Sequence, residues 1–140
     1  MKFQGLYTAI VTPFAGNRVD EEAFRMLVEA QIAAGVAGIV AVGTTGESPT
    51  LTVKEHLRVI ELAVESAAGR IQVIAGTGAN STAEAIHMTQ EAEKMGVDGT
   101  LQVCPIAITF SGWSLCPFQG YCGRYPSADD AVQHSGALRD

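Results

Sequence analysis

Four short segments carry residue types that can hold a small anion: TPFAGN (12–17), GTTGES (43–48), GTGANS (76–81) and CPIAIT (104–109). Glycine lets a backbone come close to a ligand, and threonine or serine hydroxyls beside free N–H groups at a helix start bind negative charge. Such loops suit a carboxylate or a phosphate. None contains the G-x-x-x-x-G-K of a P-loop, and GTGANS lacks the third glycine of a dinucleotide fingerprint, so no nucleotide is indicated. The same composition also builds tight turns with no ligand at all, and the loops alone leave both uses open.

Each of these segments needs a strand before it and a helix after it. The runs LYTAIVT (6–12), GIVAVG (38–43), IQVIAG (71–76) and GTLQV (99–103) are short, β-branched and nearly all apolar. That composition suits strands covered on both faces in a parallel sheet. Between them the apolar spacing becomes helical: Val53, Leu57, Ile60, Val64 and Ala67 form one stripe, and Ala85, Met88, Ala92 and Met95 another. Thr52 with Glu55 and Ser81 with Glu84 have the spacing of capping boxes. At the first helix Asp20 can cap, with Val19 and Phe24 at staple positions, while Gly35, Gly69 and Gly96 fall where helices should stop. Strand starts near 6, 38, 71 and 99 give a βα period of about 30 residues. Two architectures fit: a complete doubly wound sheet, or half of an eight-strand barrel, which needs about 250 residues. Length by itself favours the first.

The chain has 140 residues, 47% of them hydrophobic, and a formal charge of −6. Acids and bases are mixed along the helices, so no basic face offers itself to a nucleic-acid backbone or a membrane surface. The N-terminus MKFQGLYTAIVTPF lacks an apolar run with a cleavage site, and AGVAGIVAVG is far too short to span a bilayer. A cytoplasmic protein without nucleic-acid or membrane partners is expected. The composition then breaks at about residue 104. All three cysteines, the single tryptophan and three of the five prolines lie within residues 104–140, and none of the lysines does. Residues 1–103 therefore read as the patterned unit, and 104–140 as a tail expected to be irregular or poorly ordered.

Taken together, TAIVTPF, GIVAVGTTGES, VIAGTGANSTAEAI and GVDGTLQV closely resemble the dihydrodipicolinate synthase family, class I aldolase-like lyases of lysine biosynthesis. GTTGE alone would suit the wider pyruvate-lyase superfamily, but GTGANSTAEAI points to the synthases. The resemblance runs from residue 5 to about 103. It implies an α/β fold, a (β/α)8 barrel of which about four βα units are present, and a condensation of pyruvate with aspartate semialdehyde through a lysine Schiff base. It also implies a homo-oligomer, usually a tetramer; no cofactor and no metal are expected. By the same resemblance Thr44 matches a proton-relaying hydroxyl between two tyrosines, and Thr45 matches a group that binds the pyruvate carboxylate. Ser48, His56, Asn80 and Glu84 match the site where lysine binds as feedback inhibitor. For His56 a solvated helix face is the competing reading, and for Glu84 simple capping.

The resemblance stops at the fourth loop, where the family has threonine, proline and two tyrosines and this chain has Cys104, Pro105, Ile106 and Ala107. Aliphatic side chains carry no proton, so the relay through Thr44 would be broken. With suitable codons, residues 111–140 read one base later give QDGLYAHFKAIADATPLPMMLYNIPGRCG, which resembles the family's next helix and strand. A one-base shift near residue 104 is the reading this suggests. Cys104, Cys116, Cys122 and His134 lack the close pairing of a zinc site. Imine chemistry needs a neutral amine among the strand ends, and Lys2, Lys54 and Lys94 are placed before a strand or on helices. The family's activity is thus expected to be missing from these residues. A small carboxylate such as pyruvate is expected as a weak ligand, with lysine as another. Two alternatives are a half-barrel that self-associates through exposed edges or pairs with full-length subunits, and a small α/β anion-binding domain.

Overall fold

A computed structural model describes residues 3–103. Everything expected of residues 104–140, including the tail, the cysteine and histidine set and the fourth loop, lies outside the described residues. The elements in chain order are β1 (Tyr7–Ala9), β2 (Phe14–Ala15), β3 (Arg18–Val19), α1 (Glu21–Ala33), β4 (Gly38–Ala41), α2 (Val53–Ala67), β5 (Gln72–Gly76), α3 (Thr82–Met95) and β6 (Gly99–Leu101), with a 3₁₀ turn over Ser48–Thr50. Four strands form one sheet in the order β1-β4-β5-β6, every pair parallel. Ala9, Val40, Ile74 and Gly99 stand opposite one another across it. This is the partial barrel the sequence implies.

Side chains alternate between the two faces of a strand, so the register sorts the sheet into rows. Ile39, Ala41, Val73 and Ala75 face α1, α2 and α3 and form the core with Phe24, Val28, Val59, Ile60, Leu62 and Ala63. The opposite face is open at its upper end, where Val11, Leu101 and Val103 are 50%, 45% and 49% exposed. At its lower end it is plugged by rings. The Tyr7 ring fills the space where Gly38 lacks a side chain, Phe3 does the same at Gly99, and the two rings meet edge to face at 5.9 Å. The Tyr7 hydroxyl donates to Gln72 Oε1.

Local signals hold at the helix starts. Asp20 accepts from Ala23 N at 3.0 Å, and Thr52 with Glu55 forms a two-way capping box. At Ser81 only half of the box forms: its hydroxyl accepts from Glu84 N at 3.4 Å, and the Glu84 carboxylate stays exposed. Helix α2 is buried over a wider face than its stripe suggested, since His56, Val59, Leu62 and Ala63 join Ile60 and Ala67. The cause is its central place, packed on α1, α3, β4 and β5 together. The segment 12–17, read as a possible ligand loop, runs into the hairpin β2–β3. Its turn is Gly16–Asn17, with Gly16 at φ +62°, and a two-residue Gly-Asn link between short strands is a hairpin signal.

Candidate functional site

The loop after β4 reverses sharply, and its geometry begins with Val42. This residue is buried yet has φ +54°, a left-handed conformation that a β-branched side chain adopts only when its surroundings force it. Three neighbours do so. A side chain on Gly76 would meet the Val42 carbonyl carbon at 2.8 Å and Gly43 N at 2.9 Å. One on Gly46 would lie 2.9 Å from Val42 Cα. Buried Thr12 donates its hydroxyl to the Gly46 carbonyl at 2.8 Å, which ties the loop to the end of β1. The loop closes on itself through Gly46 N to Gly43 O at 3.0 Å, Glu47 N to Thr44 O at 3.1 Å and Ser48 N to Gly43 O at 3.4 Å.

This scaffold presents Thr44 and Thr45 to solvent at the carboxyl end of β4. Among the described residues neither hydroxyl is taken by a protein partner, so both can donate to or accept from a small ligand. That end of a parallel sheet is where ligands sit in α/β folds.

Beside it lies a hydroxyl network that sequence reasoning missed. Thr77, fully buried, hydrogen-bonds Thr89 on α3 at 2.8 Å. Gln102 Nε2 donates to Thr77 Oγ1 at 2.5 Å and to Thr89 Oγ1 at 3.0 Å, and Thr89 donates onward to the Ala85 carbonyl at 2.7 Å. With Ala85 O accepting from Thr89, the Thr77 hydroxyl is left to donate to Thr89. The network locks the loop after β5 to α3 and to the end of β6. Its members are 12 and 13 residues apart in the chain, so no local pattern marks them.

The four residues matched to a lysine site divide. Ser48 begins the 3₁₀ turn and is half-buried, Asn80 is exposed just before α3, and Glu84 is exposed on the first turn of α3. His56 is not on a solvated face: it is 4% exposed, and its Nε2 lies 2.6 Å from the Gly76 carbonyl oxygen. A carbonyl only accepts, so Nε2 carries the hydrogen. Burial pushes the imidazole pKa down, opposed by the Gly76 bond and the field of the Glu84 carboxylate. His56 and Glu84 are therefore within electrostatic reach, whereas Ser48 and Asn80 make no hydrogen bond to either among the described residues. Lys54 is exposed near the start of α2, and Lys94 is exposed on α3 with its Nζ 2.7 Å from Glu91. Neither amine stands at a strand end.

Residues 2–118 match the model of the dihydrodipicolinate synthetase family. A 4-hydroxy-tetrahydrodipicolinate synthase of Phenylobacterium zucineum is 49% identical over 131 residues, covering 94% of this chain and 42% of that protein. The structure resembles the chloride-inhibited dihydrodipicolinate synthase of Acinetobacter baumannii complexed with pyruvate, with a TM-score of 0.72 and 48% identity over 74% of this chain and 36% of that one. It also resembles the enzyme of Cyanidioschyzon merolae with lysine bound, with a TM-score of 0.66 and 43% identity over 69% of this chain and 33% of that one. The chain thus spans well under half the length of these relatives.

Proposed function

The chain belongs to the dihydrodipicolinate synthetase family, and on that premise we propose that its 43–48 loop is the pyruvate-carboxylate half of a lyase site, separated from the amine that would complete the chemistry. The observation that carries this reading is the pair of hydroxyls, Thr44 and Thr45, without a protein partner among the described residues and presented by a strained turn at the carboxyl end of β4. Thr45 binds the carboxylate, and Thr44 supplies a hydroxyl able to pass a proton once a second donor faces it. The Acinetobacter relative was crystallised with pyruvate, which supports a small 2-oxo acid as the ligand. Ser48, His56, Asn80 and Glu84 contribute to a second, lysine-binding site, for which the Cyanidioschyzon relative is the parallel. Glu84 meets the ligand's ammonium there, while buried His56 supports the site from behind. Because Lys54 and Lys94 stand on helices, neither of these amines, the lysines among the described residues, forms an imine with a pyruvate held at this loop.

Titration with pyruvate followed by amide chemical shifts tests this. Millimolar binding localised to residues 43–48 is expected, weakened about tenfold in Thr45→Val, in line with loss of one hydrogen bond to a charged group. Treatment with pyruvate and borohydride should leave every lysine unmodified in mass spectra. A pyruvyl adduct, or binding indifferent to Thr45→Val, would refute the assignment.

The uncovered sheet face favours a second reading alongside the first. Val11, Leu101 and Val103 expose apolar surface next to two edge strands, β1 and β6, each paired on one side among the described residues. Open edges and apolar faces recruit other chains, and self-association through this face is the expected result. Sedimentation of the full chain should show species that grow with concentration, and Leu101→Lys should shift them toward monomer. A concentration-independent monomer would rule this out.

A further inference from the structure

His56 grips a carbonyl that lies directly behind the loop bearing Thr44 and Thr45. Gly76 is the last residue of β5. Where its side chain would stand, the Val42 carbonyl carbon and Gly43 N already lie 2.8 and 2.9 Å from the Cβ position. The carbonyl of the same residue accepts from His56 Nε2 at 2.6 Å. The Gly76 peptide is therefore held between a buried side chain of α2 and the strained backbone that opens the loop. Strain of the Val42 kind persists only where neighbours over-determine it, and a movable neighbour would not suffice.

We propose that His56 is a positioning residue for the 43–48 loop: its buried imidazole fixes the Gly76 peptide as the stop against which the Val42 turn is set, and so fixes where Thr44 and Thr45 are presented. A ligand role at the second site leaves this untouched, because Nε2 is already committed to Gly76. The positioning role needs only the His56–Gly76 bond and the close approach of Gly76 to Val42. Its meaning for binding rests on the carboxylate reading of the 43–48 loop. The test below uses no ligand, so the two stand or fall separately.

Amide hydrogen exchange in the full chain reads the effect at Gly46, Glu47 and Ser48, whose N–H groups bond across the loop. His56→Leu removes the donor, while His56→Gln offers an amide N–H at a similar reach. Exchange at the three amides should accelerate about tenfold in His56→Leu and stay within about twofold of the parent in His56→Gln, with α1 unchanged in both. Equal acceleration in α1 and the loop, no acceleration in a folded His56→Leu chain, or failure of glutamine to restore protection would each overturn the proposal. If His56→Leu does not fold, imidazole ¹⁵N shifts of the parent decide it. A neutral ring with its hydrogen on Nε2 is expected, and a ring carrying its only hydrogen on Nδ1 would sink the idea.

Discussion

Gly76→Ala is expected to lower stability by about 1–3 kcal/mol and to abolish the pyruvate binding proposed for the 43–48 loop, through crowding alone. The added methyl would be driven into the Val42 carbonyl and Gly43 N, atoms of a backbone that cannot swing aside as a side chain end can. Two escapes exist and both do damage. If β4 moves, the Val42 turn relaxes and Thr44 and Thr45 are displaced; if β5 moves, the His56 bond to Gly76 is broken. Gly76 has no positive φ, so backbone conformation contributes nothing to the cost. Gly16→Ala supplies the contrast, with φ +62° and open space around the new methyl, so its penalty is conformational and local to the hairpin. Chemical denaturation of the two variants, with pyruvate titration of each, separates the effects. Gly76→Ala that binds pyruvate like the parent would show that the close approach does not set the loop.

Phe24→Ala carries the larger loss of stability, about 3–5 kcal/mol. Phe24 is fully buried in the core that joins α1 to the sheet, and Val19, its staple partner before the helix, packs on the same core. Domains of this size are stable by about 5–15 kcal/mol, so the loss is a large share of the total. The cooperative unfolding transition of the parent is expected to broaden or vanish in Phe24→Ala. Met26, two residues along the same helix, is 62% exposed, and Met26→Ala should stay within about 0.5 kcal/mol of the parent. Similar denaturation curves for both variants would place the core elsewhere.

Much of this molecule is written in short-range chemistry. Four apolar runs became four parallel strands because period and composition are local properties of a buried strand. Asp20, Thr52 and Ser81 cap helices because a cap reaches only three residues along the chain. The short hairpin over 14–19 was equally local, and its Gly16–Asn17 signal was there to be used. The family, too, was legible in GTTGES and GTGANSTAEAI.

What tertiary structure decided lies across long separations in sequence. That His56 turns inward to a carbonyl 20 residues away, rather than out to solvent, depends on α2 being packed on its neighbours from several sides. The left-handed twist at Val42 exists because Gly76 and Thr12, from other strands, hold it together with Gly46 of its own loop, and the residues adjoining Val42 do not by themselves ask for it. The Thr77, Thr89 and Gln102 network forms for the same reason. Periodicity and capping are set by neighbours along the chain, but strain, buried polar partners and the aim of a hydroxyl are set by whatever the fold brings alongside.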